Sequence, residues 1–243
     1  TNQGRDSWKE ITLCKLINTE IASKNYLVTA SNKFGNDSNI ISKVYYHREL
    51  HSTHKKSNGI SCIVAGEKPY HGAMILAASA AIQTGSKYLQ VYTDSEYAHT
   101  LPMIMPQIIA KTFSISDFKN NIKSLKHILI GPGTTDVKAY VEVALESINS
   151  LNSLIIDAGA LCHIDKNKSY SNKLIITPHP GEAARILNIS VSEVQADRYK
   201  TARKLYELFN CLIILKGSGS IIFDGDRFYT CMDGNYKMGT AGM

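Results

Sequence analysis

Five short stretches carry residue types that could do chemistry. KGSGS, Lys216 to Ser220, follows the apolar run LIIL. Its glycines, Gly217 and Gly219, would let backbone approach a nucleotide phosphate or ribose, Lys216 would supply charge, and Ser218 and Ser220 complete the loop. The lysine precedes the glycines, so the spacing is not that of a Walker A loop, and a tight turn entering a hairpin explains the stretch equally well. TPHPGE is more specific. Two prolines stiffen a loop around His179, Gly181 permits a tight helix entry, and Glu182 falls in the first turn, where a carboxylate complements the helix dipole. A rigid loop at a strand end favours ligand contact by His179 over a purely structural role. Asp157 ends the run SLII, where a carboxylate could orient a ligand hydroxyl, hold magnesium through water or cap the next segment. GPG, Gly131 to Gly133, is either a turn or a floor without side chains that admits a planar ring. Gly72 and Ala73 open a helix after a strand and could accept a phosphate there, although close helix–sheet packing explains small residues as well.

The elements that must position these residues alternate. ISCIVAG, YLQVYT, HILIGPG, SLIIDAGAL, LIITPHP and CLIILKG read as short buried strands. Between them lie helical patterns: GAMILAASAAIQTG with Gly85 as its stop, Thr134 to Ser150 with Thr134 or Thr135 as cap, and PGEAARIL. A longer helix runs through Val194, Ala202, Leu205 and Phe209, with Ser190 and Glu193 as a capping box. Prolines break up EYAHTLPMIMPQIIAK, and SIIFDGDRFYTC reads as a hairpin around Asp224-Gly225. The fold class is therefore α/β, a mainly parallel sheet with helices on both faces. Ligands collect at the carboxyl ends of strands in such sheets, where the unusual residues fall, so one crevice should gather most of them.

Composition narrows the field. With 243 residues and 44% apolar content the chain can bury one sizeable core. Residues 1–50 are Asn-rich and weakly periodic and read as a linker or the remnant of a preceding segment; the domain proper occupies 51–243. The 27 basic residues against 21 acidic ones give +6, but they are scattered, which suits anionic small molecules and excludes a nucleic-acid arm. Five cysteines (Cys14, Cys62, Cys162, Cys211 and Cys231) form no C-x-x-C pair, against a disulfide framework or zinc site. No run is long enough to span a membrane and no signal peptide is visible, so the cytoplasm is the default location. A chain opening on Thr1 rather than Met reads as a processed, cut or partial product.

In this order the motifs resemble the ADP/ATP-dependent NAD(P)H-hydrate dehydratase family, of ribokinase-like fold. The resemblance runs from about His54 to Met243 and rests on HKKSNG, AGEKPYHGA, GPG, DAGAL, TPHPGEAARIL, LKGSGS and the tail GN...MGTAGM. It implies a substrate, hydrated NADH or NADPH, that is restored at the expense of a nucleotide phosphoanhydride: the ring hydroxyl is phosphorylated and phosphate then leaves. ADP is favoured over ATP, with Mg2+ for the phosphates. By motif, Ala73, Gly133 and His179 would contact the hydrated dinucleotide, with Asp157 in the same crevice. Lys216, Gly217, Ser218, Gly219 and Ser220 would contact the adenine nucleotide, with Asn235 nearby. The resemblance also implies a homo-oligomer and a fused or separate epimerase. Where the family has GPGLG this chain has GPGTT, so Thr135 narrows the floor. Where the family follows TAGM with Gly-Asp, the expected anion hole and base, the sequence stops at Met243. The domain is then incomplete, and a chain of these residues alone should bind nucleotide with negligible turnover. Alternatives are another ribokinase-like small-molecule kinase and a nucleotide-binding domain without activity.

Overall fold

The computed structural model describes residues 59–231, together with Lys56 and the strands Tyr26–Ala30 (β1) and Ser38–Val44 (β2). The chain continues through β3 (Ile60–Val64), α1 (His71–Gln83), β4 (Leu89–Thr93), α2 (Ser95–Ile104), β5 (Ile108–Thr112), α3 (Ile115–Asn121) and β6 (Leu125–Ile130). Then come α4 (Lys138–Glu146), β7 (Ser153–Ile156), β8 (Leu174–Ile176), α5 (Pro180–Leu187), α6 (Val191–Ala196), α7 (Arg198–Phe209), β9 (Leu212–Leu215), β10 (Ser220–Phe223) and β11 (Phe228–Cys231).

One sheet collects all these strands in the order β1-β2-β11-β10-β9-β8-β7-β6-β3-β4-β5. From β9 to β5 every pairing is parallel. The central strands are predominantly apolar because both faces of the sheet are covered there. Cys62, Val64, Ile128, Ile130, Leu154 and Ile156 point into one core with α4, α5 and α7. The alternate residues Ile63, Leu129 and Ile155 point into the other, with α1 and α2. This is the period-two alternation that a doubly covered sheet requires.

Local chemistry explains where the elements begin and end. The Ser190/Glu193 capping box is present, but the helix it opens stops at Ala196. Asp197 takes an extended conformation and caps a separate helix, α7, accepting from the N–H of Lys200 at 2.8 Å. What the sequence suggested as one long helix is thus two. The helix expected from Thr134 starts only at Lys138, with no side-chain cap. Thr134 instead donates to the carbonyl of Gly131 at 3.0 Å, and Thr135 is taken up elsewhere. The proline-rich stretch is more ordered than its composition suggests: α2 runs through Pro102 near its last turn, and β5 begins two residues after Pro106. The segment 1–50, set outside the domain by its composition, contributes β1 and β2, and β2 pairs in parallel with β11.

Candidate active site

The sheet reverses its direction of growth at β3. The chain proceeds outward through β4 and β5, then returns to lay β6 on the other side of β3. The crevice outside β3 and β6 is therefore the topological switch point, where open α/β sheets bind ligands. AGEKPYHG leaves β3 there and GPGTT leaves β6. DAGAL, TPHPGE and KGSGS leave β7, β8 and β9 in succession along the same edge.

The loops after β3 and β6 are stitched together. The N–H groups of Gly66 and Glu67 donate to the carbonyls of Pro132 and Gly133 at 3.0 and 2.8 Å. In return the Glu67 carboxylate accepts from the N–H and hydroxyl of Thr135, at 2.8 and 2.5 Å, and from the N–H of Asp136 at 3.0 Å. Gly133 has φ +63°, and a Cβ there would lie 2.5 Å from the carbonyl oxygen of Tyr70 and 3.2 Å from Cβ of Ala73. Only glycine lets the floor approach the start of α1 so closely. Ala73 and Gly133, from different motifs, are thus neighbours. Space beyond Gly72 is open, with no atom within 4 Å of where its Cβ would be.

The loops after β7, β8 and β9 meet in a buried polar cluster. Nζ of Lys216 lies 2.6 Å from Oδ1 of Asp157, which also accepts from the hydroxyl of Thr177 at 2.7 Å. Glu182 stands 3.9 Å from the same ammonium. Burial alone would push the Asp157 carboxyl up, but the Lys216 charge and the hydrogen bonds from Lys216 and Thr177 hold it below the ordinary carboxylate range. Burial would likewise push Lys216 down, and the charges of Asp157 and Glu182 raise it instead. Both groups are therefore ionised near neutrality. The backbone N–H of Lys216 donates to Pro178 at 2.9 Å, tying the KGSGS loop to TPHPGE.

His179 is the N-cap of α5. Its Nδ1 accepts from the N–H groups of Gly181 and Glu182 at 3.0 and 3.2 Å, while Glu182 accepts from the His179 N–H at 2.7 Å. An accepting Nδ1 places the ring proton on Nε2, 3.3 Å from Oε1 of Glu182. The imidazole is half-exposed at the crevice and fixed in both tautomer and orientation. Capping is a structural duty of this imidazole, and its Nε2 faces Glu182.

Two residues that sequence reasoning left without a role emerge here. Glu67 sits in a quoted motif, but its partners Thr135 and Asp136 lie far along the chain. Arg198, at the start of α7, reaches the KGSGS loop, and no local pattern marks it. Asn235 lies outside the described residues. Among the described residues no group of three His, Cys, Asp or Glu side chains is placed to hold a metal ion, and Asp157 and Glu182 are committed to Lys216.

Residues 61–243 match the family model described as NAD(P)H-hydrate dehydratase. The chain belongs to that family. The bifunctional NAD(P)H-hydrate repair enzyme Nnr of Vibrio cholerae is 33% identical over 193 residues, 79% of this chain and 39% of the relative. The ADP-dependent (S)-NAD(P)H-hydrate dehydratase of Neisseria meningitidis is 30% identical over 202 residues, 78% of this chain and 67% of that one. The chain spans about two fifths of the length of the bifunctional relatives it matches. Among solved structures, the ADP/ATP-dependent NAD(P)H-hydrate dehydratase of Bacillus subtilis, co-crystallised with ATP/Mg2+, aligns with TM-score 0.66 and 25% identity over 80% of this chain and 71% of its own. A ribokinase-like superfamily protein from Enterococcus faecalis aligns with TM-score 0.68 at 22% identity, over 80% of this chain and 70% of its own, and shares the fold. The ribokinase-like α/β architecture expected from the motif order is the one observed. No helix among the described residues is long and apolar enough to cross a membrane.

Proposed function

We propose that this domain restores hydrated NADH and NADPH to the reduced dinucleotides with ADP as phosphoryl donor. The observation that carries the reading is the gathering of all five motif loops along one edge of the sheet, from its switch point to β9, in a chain of this family. Hydroxide is a poor leaving group and phosphate a good one, so moving a phosphoryl group from ADP to the ring hydroxyl releases AMP. Loss of inorganic phosphate and a proton then regenerates the nicotinamide double bond.

Under this reading the hydrated ring lies over Gly133 and Ala73, against the Nε2–H of His179, and the nucleotide lies along Lys216 to Ser220. Asp157 and Lys216 form the wall between them. Lys216 is paired, so its work is to fix three loops, with direct phosphate contact requiring exchange for Asp157. Mg2+ would enter on the nucleotide phosphates, the usual mode for this ion. An epimerase, fused or separate, would supply the S form named for the Neisseria relative.

The test is recovery of NADH absorbance when the protein is given hydrated NADH, ADP and Mg2+, with AMP and phosphate released in equal amounts. No recovery with either ADP or ATP, from a chain that carries the Gly-Asp the family has after TAGM, overturns the proposal.

A further inference from the structure

The KGSGS loop is held from behind by one side chain. Nη1 of Arg198 donates to the carbonyls of Ser218 at 2.7 Å and Gly219 at 3.0 Å, and Nη2 donates to those of Leu215 at 3.0 Å and Lys216 at 3.3 Å. The remaining carbonyl of the run, that of Gly217, accepts from the Ser220 hydroxyl at 3.2 Å. Every carbonyl from Leu215 to Gly219 is therefore directed at a donor within the protein. In a trans peptide the N–H points opposite to the carbonyl. Capturing the carbonyls of Lys216 and Ser218 on the Arg198 side thus turns the N–H groups of Gly217 and Gly219 to the opposite side of the loop.

Gly217 belongs to the same device. It has φ +149°, and a Cβ built on it would lie 2.9 Å from Nη2 of Arg198. The glycine that the sequence offers for approach of a phosphate is required first for approach of the guanidinium. Arg198 is itself fixed at the first position of α7, whose cap is Asp197. Its Nε–H is buried, with no hydrogen-bond partner among the described residues.

We infer that Arg198 is a positioning residue for nucleotide binding: its fork holds four loop carbonyls and so presents the opposite, N–H-bearing side of the loop to an anionic nucleotide. The inference rests on the reading of Lys216 to Ser220 as the nucleotide loop. Lysine cannot replace it, because an ammonium lacks the planar fork that serves two pairs of carbonyls at once.

The experiment compares the full chain with Arg198→Lys and Gly217→Ala by calorimetric titration with ADP·Mg2+ and, separately, with hydrated NADH, with thermal melts to establish folding. Loss of charge-assisted hydrogen bonds in the clamp should weaken ADP binding by about tenfold or more in both variants and leave hydrated-NADH affinity within about twofold. Hydrogen exchange should accelerate in 215–220 and not in the loops after β3 and β6. In an Arg198→Ala chain, millimolar methylguanidinium should recover part of the ADP affinity. Unchanged ADP affinity in Arg198→Lys, or equal losses for both ligands, overturns the inference. Absence of ADP binding in the unsubstituted chain overturns the nucleotide reading of the loop and this inference with it.

Discussion

Lys216 and Asp157 join the two halves of the crevice: the ammonium that follows β9 sits 2.6 Å from the carboxylate that follows β7, with Thr177, from β8 between them, donating to the same oxygen. The sequence assigned one residue to the nucleotide and the other to the dinucleotide. In the fold they are a single ion pair, so removing either member leaves the other buried without its nearest counter-charge.

The pair predicts a stability plateau. Asp157 is held below its ordinary value, so its contribution is complete above the unfolded carboxylate pKa of about 4 and is lost as pH falls through the folded value. Lys216 is held above its ordinary value, so its contribution is complete below about 10 and is lost as pH rises through the folded value. Thermal melts across pH should show both limbs. Asp157→Asn should cost about 3 kcal/mol at neutrality, by leaving a buried ammonium with only the more distant Glu182, and should flatten the acid limb. An acid limb of unchanged steepness in that variant would count against the assignment.

Glu67 should couple to Thr135. Glu67→Ala removes three accepted hydrogen bonds and should cost about 1–3 kcal/mol in urea denaturation, while Thr135→Val removes only the hydroxyl and should cost about 1 kcal/mol. The double variant should cost less than the sum by about 0.5–1 kcal/mol, and strict additivity would show that the contact contributes nothing.

His179 has separable duties. His179→Ala should lose about 1 kcal/mol of stability with the cap, whereas His179→Asn, itself a good N-cap residue, should recover most of it. Neither should restore the presented N–H, so both should bind hydrated NADH more weakly while ADP binding changes less. Equal losses for the two ligands in calorimetry would remove the histidine from the dinucleotide side.

Gly133→Ala places a Cβ at φ +63° against the Tyr70 carbonyl. Strain of about 1–3 kcal/mol is expected in denaturant unfolding, together with weaker binding of hydrated NADH. A variant as stable as the parent would mean that the floor is looser than it stands in the fold.

Much of the architecture was legible because it is written locally. Buried strands announce themselves as β-branched runs, the Ser190/Glu193 box lies within four residues, and the strand-then-unusual-residue order places every motif at one edge. What escaped notice was set by distant contacts. Asp197 divides the long helix because capping α7 competes with continuing α6, and the pattern through Val194 and Ala202 reads the same in either case. Thr134 and Thr135 look like helix caps but are claimed by Gly131 and Glu67. Arg198 reaches its loop only because α7 packs on β9 and β10, a relationship that no spacing along the chain encodes.

A crevice of this kind must hold ligands in its two halves at the same time. Titrating hydrated NADH into the chain already saturated with ADP·Mg2+ should show one further saturable site, with ADP retained and the dinucleotide affinity lowered by Gly133→Ala. Displacement of ADP by hydrated NADH, or no binding of hydrated NADH in its presence, would contradict a crevice shared by two ligands across the Asp157–Lys216 pair.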